Sequence, residues 1–237
     1  MREATCFPVP APMGERKLTF SGLYDIAFAL SVEQKVVGND LDADGSNLLV
    51  ITGANTGGKS TFLRSVGLAQ LMLQAGMFVP AESFCSEVCQ GIFTHYKREE
   101  DATMESGKWD EELSRMSEIV DRLKPNSILL LNESFSSTNQ REGSEIAGQI
   151  VRALLEDDVK VLFVTHLYHF ARNLFVQRPH GVKFLRAERR SDGTRPFKLI
   201  QGEPLQTSYG EDLYRAIFIG DAKEAETSTA KSDKSAV

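Results

Sequence analysis

Residues 48–61, LLVITGANTGGKST, restrict what this chain can fold into more than any other stretch. An apolar β-type run, Leu48-Leu49-Val50-Ile51, leads straight into Gly53-x4-Gly58-Lys59-Ser60, the P-loop spacing at every defined position. Glycines at 53, 57 and 58 let the backbone turn through conformations that a Cβ would forbid, so successive N–H groups point inward at phosphate oxygens. A helix starting near Lys59 would aim its positive end at the same place. Lys59 would then reach the β- and γ-phosphates of a bound nucleotide, and the Ser60 hydroxyl would ligate Mg2+. The competing reading is a glycine-rich turn with a solvated lysine. The strand and helix that flank the motif argue against it.

A chain of 237 residues is long enough for one large α/β domain with extensions. The formal net charge of -6 works against indiscriminate electrostatic binding to nucleic acid, although a local basic patch remains compatible with it. Cys6, Cys85 and Cys89 are odd in number and lack zinc-type pairing, which points to thiols in a reducing compartment. No apolar run approaches the ~20 residues of a membrane span. The expectation is a cytoplasmic protein that does not enter a membrane.

Residues 1–17 read as irregular and residues 18–37 as peripheral strands or a short helix. Residues 38–40 and 42–46 read as turns. Apolar positions Phe62, Leu63, Val66, Ala69, Leu71, Met72 and Leu73 suit a buried helix that stops at Gly76. A further strand is expected over 91–96. The spacing of Leu113, Met116, Ile119, Val120 and Leu123 predicts a helix over 110–123. Ile128-Leu129-Leu130-Leu131 and residues 159–165, VKVLFVT, are continuous apolar runs of the kind found in central parallel strands, with an amphipathic helix between them. Residues 181–185 and 196–200 suggest a hairpin around Ser191-Asp192-Gly193. The last 17 residues, from Asp221, contain no aromatic, Leu or Ile and read as a disordered tail.

Strands alternating with helices predict an α/β fold with a mostly parallel central sheet flanked by helices. Ligands bind such sheets beyond the carboxyl ends of the strands, so the loops after Ile51, Leu131 and Val164 should converge. These loops carry Lys59, Glu133 and His166. Glu133 can orient a water and take its proton; the alternative is a solvated strand-end carboxylate. Asn132 keeps an acceptor oxygen for the metal's surroundings without the charge of an aspartate, so Mg2+ should bind more weakly. His166 could touch the γ-phosphate, or be an ordinary core or surface histidine. His95, His169 and His180 read as structural or solvated.

Four blocks then carry a family resemblance: TGANTGGKST at 52–61, GMFVPAE at 76–82, LLLNE at 129–133 with Thr138, Glu142 and Gly143, and VTH at 164–166. Together they resemble the C-terminal ATPase domain of the MutS family of DNA mismatch repair proteins, an ABC-type ATPase within the P-loop NTPases. The likeness covers about residues 38–173, and Ser208-Tyr209-Gly210 weakly matches a later segment. It implies ATP and Mg2+ as cofactors. Asn39 would lie beside the adenine, and Gly53, Asn55, Thr56, Gly57, Gly58, Lys59, Ser60 and Thr61 would hold the phosphates. Ser60 and Asn132 would serve the metal, and Glu133 and His166 the hydrolysis. It further implies a dimer, with itself or a related ATPase domain, that sandwiches ATP and controls a clamp on DNA. On this basis residues 1–37 form a lead-in, 38–220 the ATPase domain and 221–237 the tail.

Three departures stand out. Trp109, Asp110 and Glu111 occupy the region where the family places the serine that reaches the partner's γ-phosphate, leaving Ser106 or Ser114 as substitutes. Asn132 replaces an aspartate, and residues 134–137 replace a glycine-containing turn. Fewer than 50 residues precede the P-loop, too few for the mismatch-reading and clamp regions. The expectation is therefore an isolated ATPase domain, a fragment or a short relative. A nucleotide-dependent interaction module with little turnover is the alternative. Other ABC branches fit less well, because residues 110–127 lack a Leu-Ser-Gly-Gly-Gln segment and only 67 residues separate Ser60 from Ile128.

Overall fold

The computed structural model describes residues 4–32, 35–97, 107–206 and 209–218. The tail expected over 221–237 lies outside the described residues, as do Ser106 and Ser208. Six strands form the main sheet: β4 (Leu48–Gly53), β6 (Ile92–Tyr96), β7 (Ile128–Asn132), β8 (Lys160–Val164), β9 (Val182–Ala187) and β10 (Leu199–Gln201), in the order β10-β9-β4-β8-β7-β6. Every pairing is parallel except β9 with β10. The continuous apolar runs identify the central strands because both of their faces are covered. Leu49, Ile51, Ile128, Leu130, Leu162 and Val164 enter one core, while Leu48, Val50, Leu129, Leu131, Val161 and Phe163 enter the other.

Helix α2 (Lys59–Gln74) fills the first core, with Phe62, Leu63, Val66 and Ala69 buried. It approaches β7 so closely that a Cβ on Gly67 would stand 2.5 Å from Leu130 Cδ1. The second core is closed by α3 (Lys108–Val120), α4 (Gln140–Glu156) and α5 (Tyr168–Gln177), through Met116, Ala147, Val151, Leu154 and Phe170. The mixed α/β fold and mostly parallel sheet agree with the sequence expectation, and so do α3 and the hairpin formed by β9 and β10.

A second sheet, β1-β5-β2-β3, was not expected as such. Strand β1 (Val9–Ala11) runs parallel to β5 (Ser83–Glu87), and β2 (Leu18–Leu23) lies antiparallel between β5 and β3 (Asn39–Asp42). Its Phe20 and Phe84 stack with ring centroids 5.8 Å apart, and Phe20 meets Phe62 of α2 at 6.1 Å. Two expectations are corrected here: residues 9–11 are a strand rather than irregular chain, and the turn read at 38–40 is the start of β3. The prolines around β1 are compatible with its edge position. In β3 only Asn39 and Leu41 point inward, so its composition conceals a strand that long-range pairing with β2 creates. The remaining helices are α1 (Ile26–Ser31) and α6 (Gly210–Phe218). Among the described residues no helix is long and apolar enough to cross a membrane.

Candidate functional site

The carboxyl ends of β4, β7 and β8 meet on one side of the main sheet. Strand β4 ends at Gly53, whose φ of 106° lies in the left-handed region, and Gly58, with φ of 86°, caps α2. Gly53 is also required by close approach, since a Cβ there would lie 2.9 Å from Ala187 N on β9. Thr56, at the loop's outer bend, holds a left-handed φ of 53° without being glycine, a conformation that costs about 1 kcal/mol or more and is typical of binding loops.

Lys59 is buried, 5% exposed, and folds back across this loop. Its Nζ donates to Gly53 O at 3.0 Å and Ala54 O at 2.9 Å. Burial pushes its pKa down to about 8; the Glu133 carboxylate acts against this, and the Arg195 guanidinium adds to it. One residue later, Ser60 Oγ donates to Asn132 Oδ1 at 2.9 Å.

Glu133 leaves the end of β7 with a left-handed φ of 57°. Its N–H donates to Val164 O on β8 at 2.8 Å, and its Oε1 lies 3.0 Å from His166 Nε2. The His166 hydrogen bond is the main reason its pKa falls below the ordinary glutamate value. Burial opposes the shift, and the charges of His166, Lys59 and Lys97 assist it.

A buried network fixes the turn that follows. Ser134 donates to His95 O at 2.9 Å, and its Oγ sits 2.7 Å from His95 Nδ1; His95 Nε2 lies 3.1 Å from Glu112 O. Glu112 in turn accepts the N–H of Phe135, which has φ of 64°. Helix α4 leaves no slack behind it, because a Cβ on Gly143 would stand 2.3 Å from Phe135 O. His95 is thus structural, and residues 134–137 form a turn whose left-handed position is held by packing rather than by glycine.

One groove of about 450 Å³ is lined by Asn55, Thr56, Gly57, Gly58, Lys59, Ser60, Thr61, Glu133 and His166. Asn132 reaches it through Ser60, and Gly53 shapes the turn beneath. Asn39 lies elsewhere, in an adjoining cavity of about 360 Å³ shared with Thr56, Gly58, Tyr24 and Phe197. Its amide is occupied: Nδ2 donates to Phe197 O at 3.3 Å and Oδ1 accepts from Leu199 N at 2.7 Å. Asn39 therefore builds that cavity's wall. Phe197 and Arg195, on the 188–198 connection, were missed by sequence reasoning. They sit about 140 residues from the loop they touch and carry no spacing signal.

A family model described as MutS domain V matches residues 49–228. The chain belongs to the MutS family. It is 34% identical over 145 residues to MutS protein homolog 4 of Mus musculus, covering 61% of this chain and 15% of that relative. It is 36% identical over 143 residues to the DNA mismatch repair protein MutS of Syntrophomonas wolfei, covering 59% of this chain and 17% of the relative. With the DNA mismatch repair protein MutS of Caldicellulosiruptor saccharolyticus it shares 29% identity over 211 residues, 86% of this chain and 24% of the relative. The chain thus matches between about a seventh and a quarter of these relatives' lengths. Of the four MutS-like blocks, those at 52–61, 129–133 and 164–166 bring side chains to the groove; the block at 76–82 joins α2 to β5.

Proposed function

We propose that this MutS-family chain is a nucleotide-binding unit of the P-loop, ABC-type ATPase class that binds ATP with Mg2+, hydrolyses it, and serves DNA mismatch repair. One observation carries the reading: Lys59, Ser60 and the loop backbone share a single groove with the Glu133–His166 pair. In this reading residues 38–220 form the ATPase unit, and residues 1–37 supply the strands β1 and β2.

The amides of residues 55–61 and the start of α2 attract the phosphates. Lys59 exchanges its carbonyl partners for phosphate oxygens. Two adjacent hard oxygens, Ser60 Oγ and Asn132 Oδ1, fit a magnesium site. Among the described residues no group of three His, Cys, Asp or Glu could hold a metal, so ligands from nucleotide and water would complete the shell, as is usual for Mg2+. When bound, that ion would neutralise charge on the phosphates. Glu133, whose pKa the hydrogen bond to His166 lowers below the ordinary glutamate value, is a carboxylate at neutral pH and accepts the proton of the attacking water. His166 orients the carboxylate and faces the outermost phosphate.

Dimerisation around nucleotide, with a second copy or a related ATPase domain, and a link to DNA belong to the same reading. They are supported by the family. Asp110 and Glu111 stand in the first turn of α3, where acids favour the helix. That gives them a local role and leaves the contact with a partner's γ-phosphate weakened, so slow turnover by a nucleotide-gated interaction module is the second reading.

The test is Mg2+-dependent ATP binding and turnover by the full chain. Lys59→Ala should abolish binding, and Glu133→Gln should keep binding and lose hydrolysis. Unchanged affinity in Lys59→Ala would refute the nucleotide assignment; turnover indifferent to Glu133→Gln would favour the interaction module.

A further inference from the structure

A second cation, Arg195, sits against the phosphate loop at Thr56. Arg195 donates through Nη1 to the Thr56 hydroxyl. Its Nη2 reaches Tyr209 O at 3.3 Å and Asp212 Oδ2 at 3.4 Å, so one guanidinium joins the loop to the first turn of α6. The side chain is only 14% exposed, and its Nε is buried with no hydrogen-bond partner among the described residues.

Asp212 is a poor counter-ion for it. Both carboxylate oxygens are already engaged by Arg189, whose Nε and Nη2 lie 2.7 and 2.8 Å away, and whose guanidinium also covers the Tyr209 ring at 4.4 Å. Two guanidiniums therefore divide one carboxylate, and Arg195 holds the longer, single contact. On the groove side, Arg195 holds Thr56, and Thr56 and Lys59 line the same groove. A mostly buried cation beside another cation is unfavourable unless an anion accompanies both. The groove lined by Lys59 and by the Thr56 that Arg195 holds is where such an anion would sit.

We propose that Arg195 is a phosphate-contacting residue of the nucleotide site, and that its simultaneous hold on Thr56 and Tyr209 ties α6 to the occupied loop. The inference rests on the nucleotide reading above. A planar guanidinium carries five N–H donors, so two can meet phosphate oxygens while others stay on Thr56 and Tyr209. Nucleotide would thus order α6 through the same side chain that helps bind it. Arg189 provides the internal contrast, because it secures α6 through Asp212 and, among the described residues, donates no hydrogen bond to the phosphate loop.

The experiment measures affinity of the full chain for Mg2+ and a slowly hydrolysed ATP analogue, alongside hydrogen exchange in residues 209–218. Arg195→Gln is expected to weaken binding roughly 10- to 100-fold, the scale of a lost charge-assisted hydrogen bond. Arg189→Gln should stay within about threefold of the unsubstituted chain. Nucleotide should slow exchange in α6 in the unsubstituted chain and fail to do so in Arg195→Gln. Arg195→Lys, which retains charge and bulk if the glutamine variant folds poorly, should fall between the two. Equal losses in Arg195→Gln and Arg189→Gln, or affinity unchanged in both Arg195 variants, would overturn the proposal and leave Arg195 a staple of the hairpin. A separate outcome, in which the unsubstituted chain and Lys59→Ala bind nucleotide equally or not at all, would remove the nucleotide reading itself and this inference with it.

Discussion

Ser60 Oγ donates to Asn132 Oδ1 across 2.9 Å, joining the first turn of α2 to the last residue of β7. The two oxygens that suit a magnesium ion are therefore already adjacent, and neither carries a charge. Asn132→Asp would add an anion where a dication is expected. It should lower the Mg2+ concentration for half-maximal nucleotide binding roughly tenfold. Titrating Mg2+ at fixed ATP checks this, and an unmoved midpoint would separate Asn132 from the metal.

Burial pushes the pKa of Lys59 down to about 8 from an ordinary value of 10.5. Bound phosphate favours its charged form, so binding above pH 8 requires proton uptake. Affinity for ATP should fall as pH rises through about 8, approaching roughly tenfold per pH unit. The sign for stability is the reverse. Between about 8 and 10.5 the unfolded chain holds this proton more tightly, so the group's contribution to the stability of the nucleotide-free protein rises with pH across that window. Dissociation constants from pH 7 to 9.5 test the first statement; a flat profile contradicts it.

Gly143 and Gly148 lie on the same helix, α4, in opposite surroundings. A Cβ at Gly143 meets Phe135 O at 2.3 Å, whereas one at Gly148 meets nothing within 4 Å. Gly143→Ala should destabilise the chain by about 1–3 kcal/mol and disturb the turn after Glu133. Gly148→Ala should stabilise it by about 0.5–1 kcal/mol through helix propensity. Urea denaturation of both variants decides the matter, and equal midpoints would show that the turn yields freely.

Lys160 and Glu87 form an ion pair at 2.6 Å with side chains 4% and 5% exposed, joining the start of β8 to the end of β5. Glu87 Oε2 also accepts the N–H groups of Gly14 and Arg16, each at 3.0 Å. Lys160→Met would leave a buried carboxylate without its cation and should cost about 3–5 kcal/mol. Adding Glu87→Gln to that variant should recover part of the loss. A double variant less stable than Lys160→Met alone would show that the Glu87 charge matters mainly to the Gly14 and Arg16 amides.

The pieces of the candidate site that lie on the main chain's own itinerary were legible before any fold was known. An apolar run followed by glycines, lysine and serine can do little but place amides at a strand's end, and runs such as Ile128-Leu129-Leu130-Leu131 require burial on both faces. Local composition thus determined the parallel strands, the helices between them, and the convergence of Lys59, Glu133 and His166. Tertiary structure decided what no local pattern encodes. It turned Asn39-Asp40-Leu41-Asp42 into a strand by offering β2 as a partner, and held Phe135 left-handed through Glu112. It also brought Arg195 to Thr56 across 139 positions of sequence. Local signals arise from backbone sterics and periodic burial over a few residues. Contacts between distant segments depend on which surfaces remain open once those elements have packed.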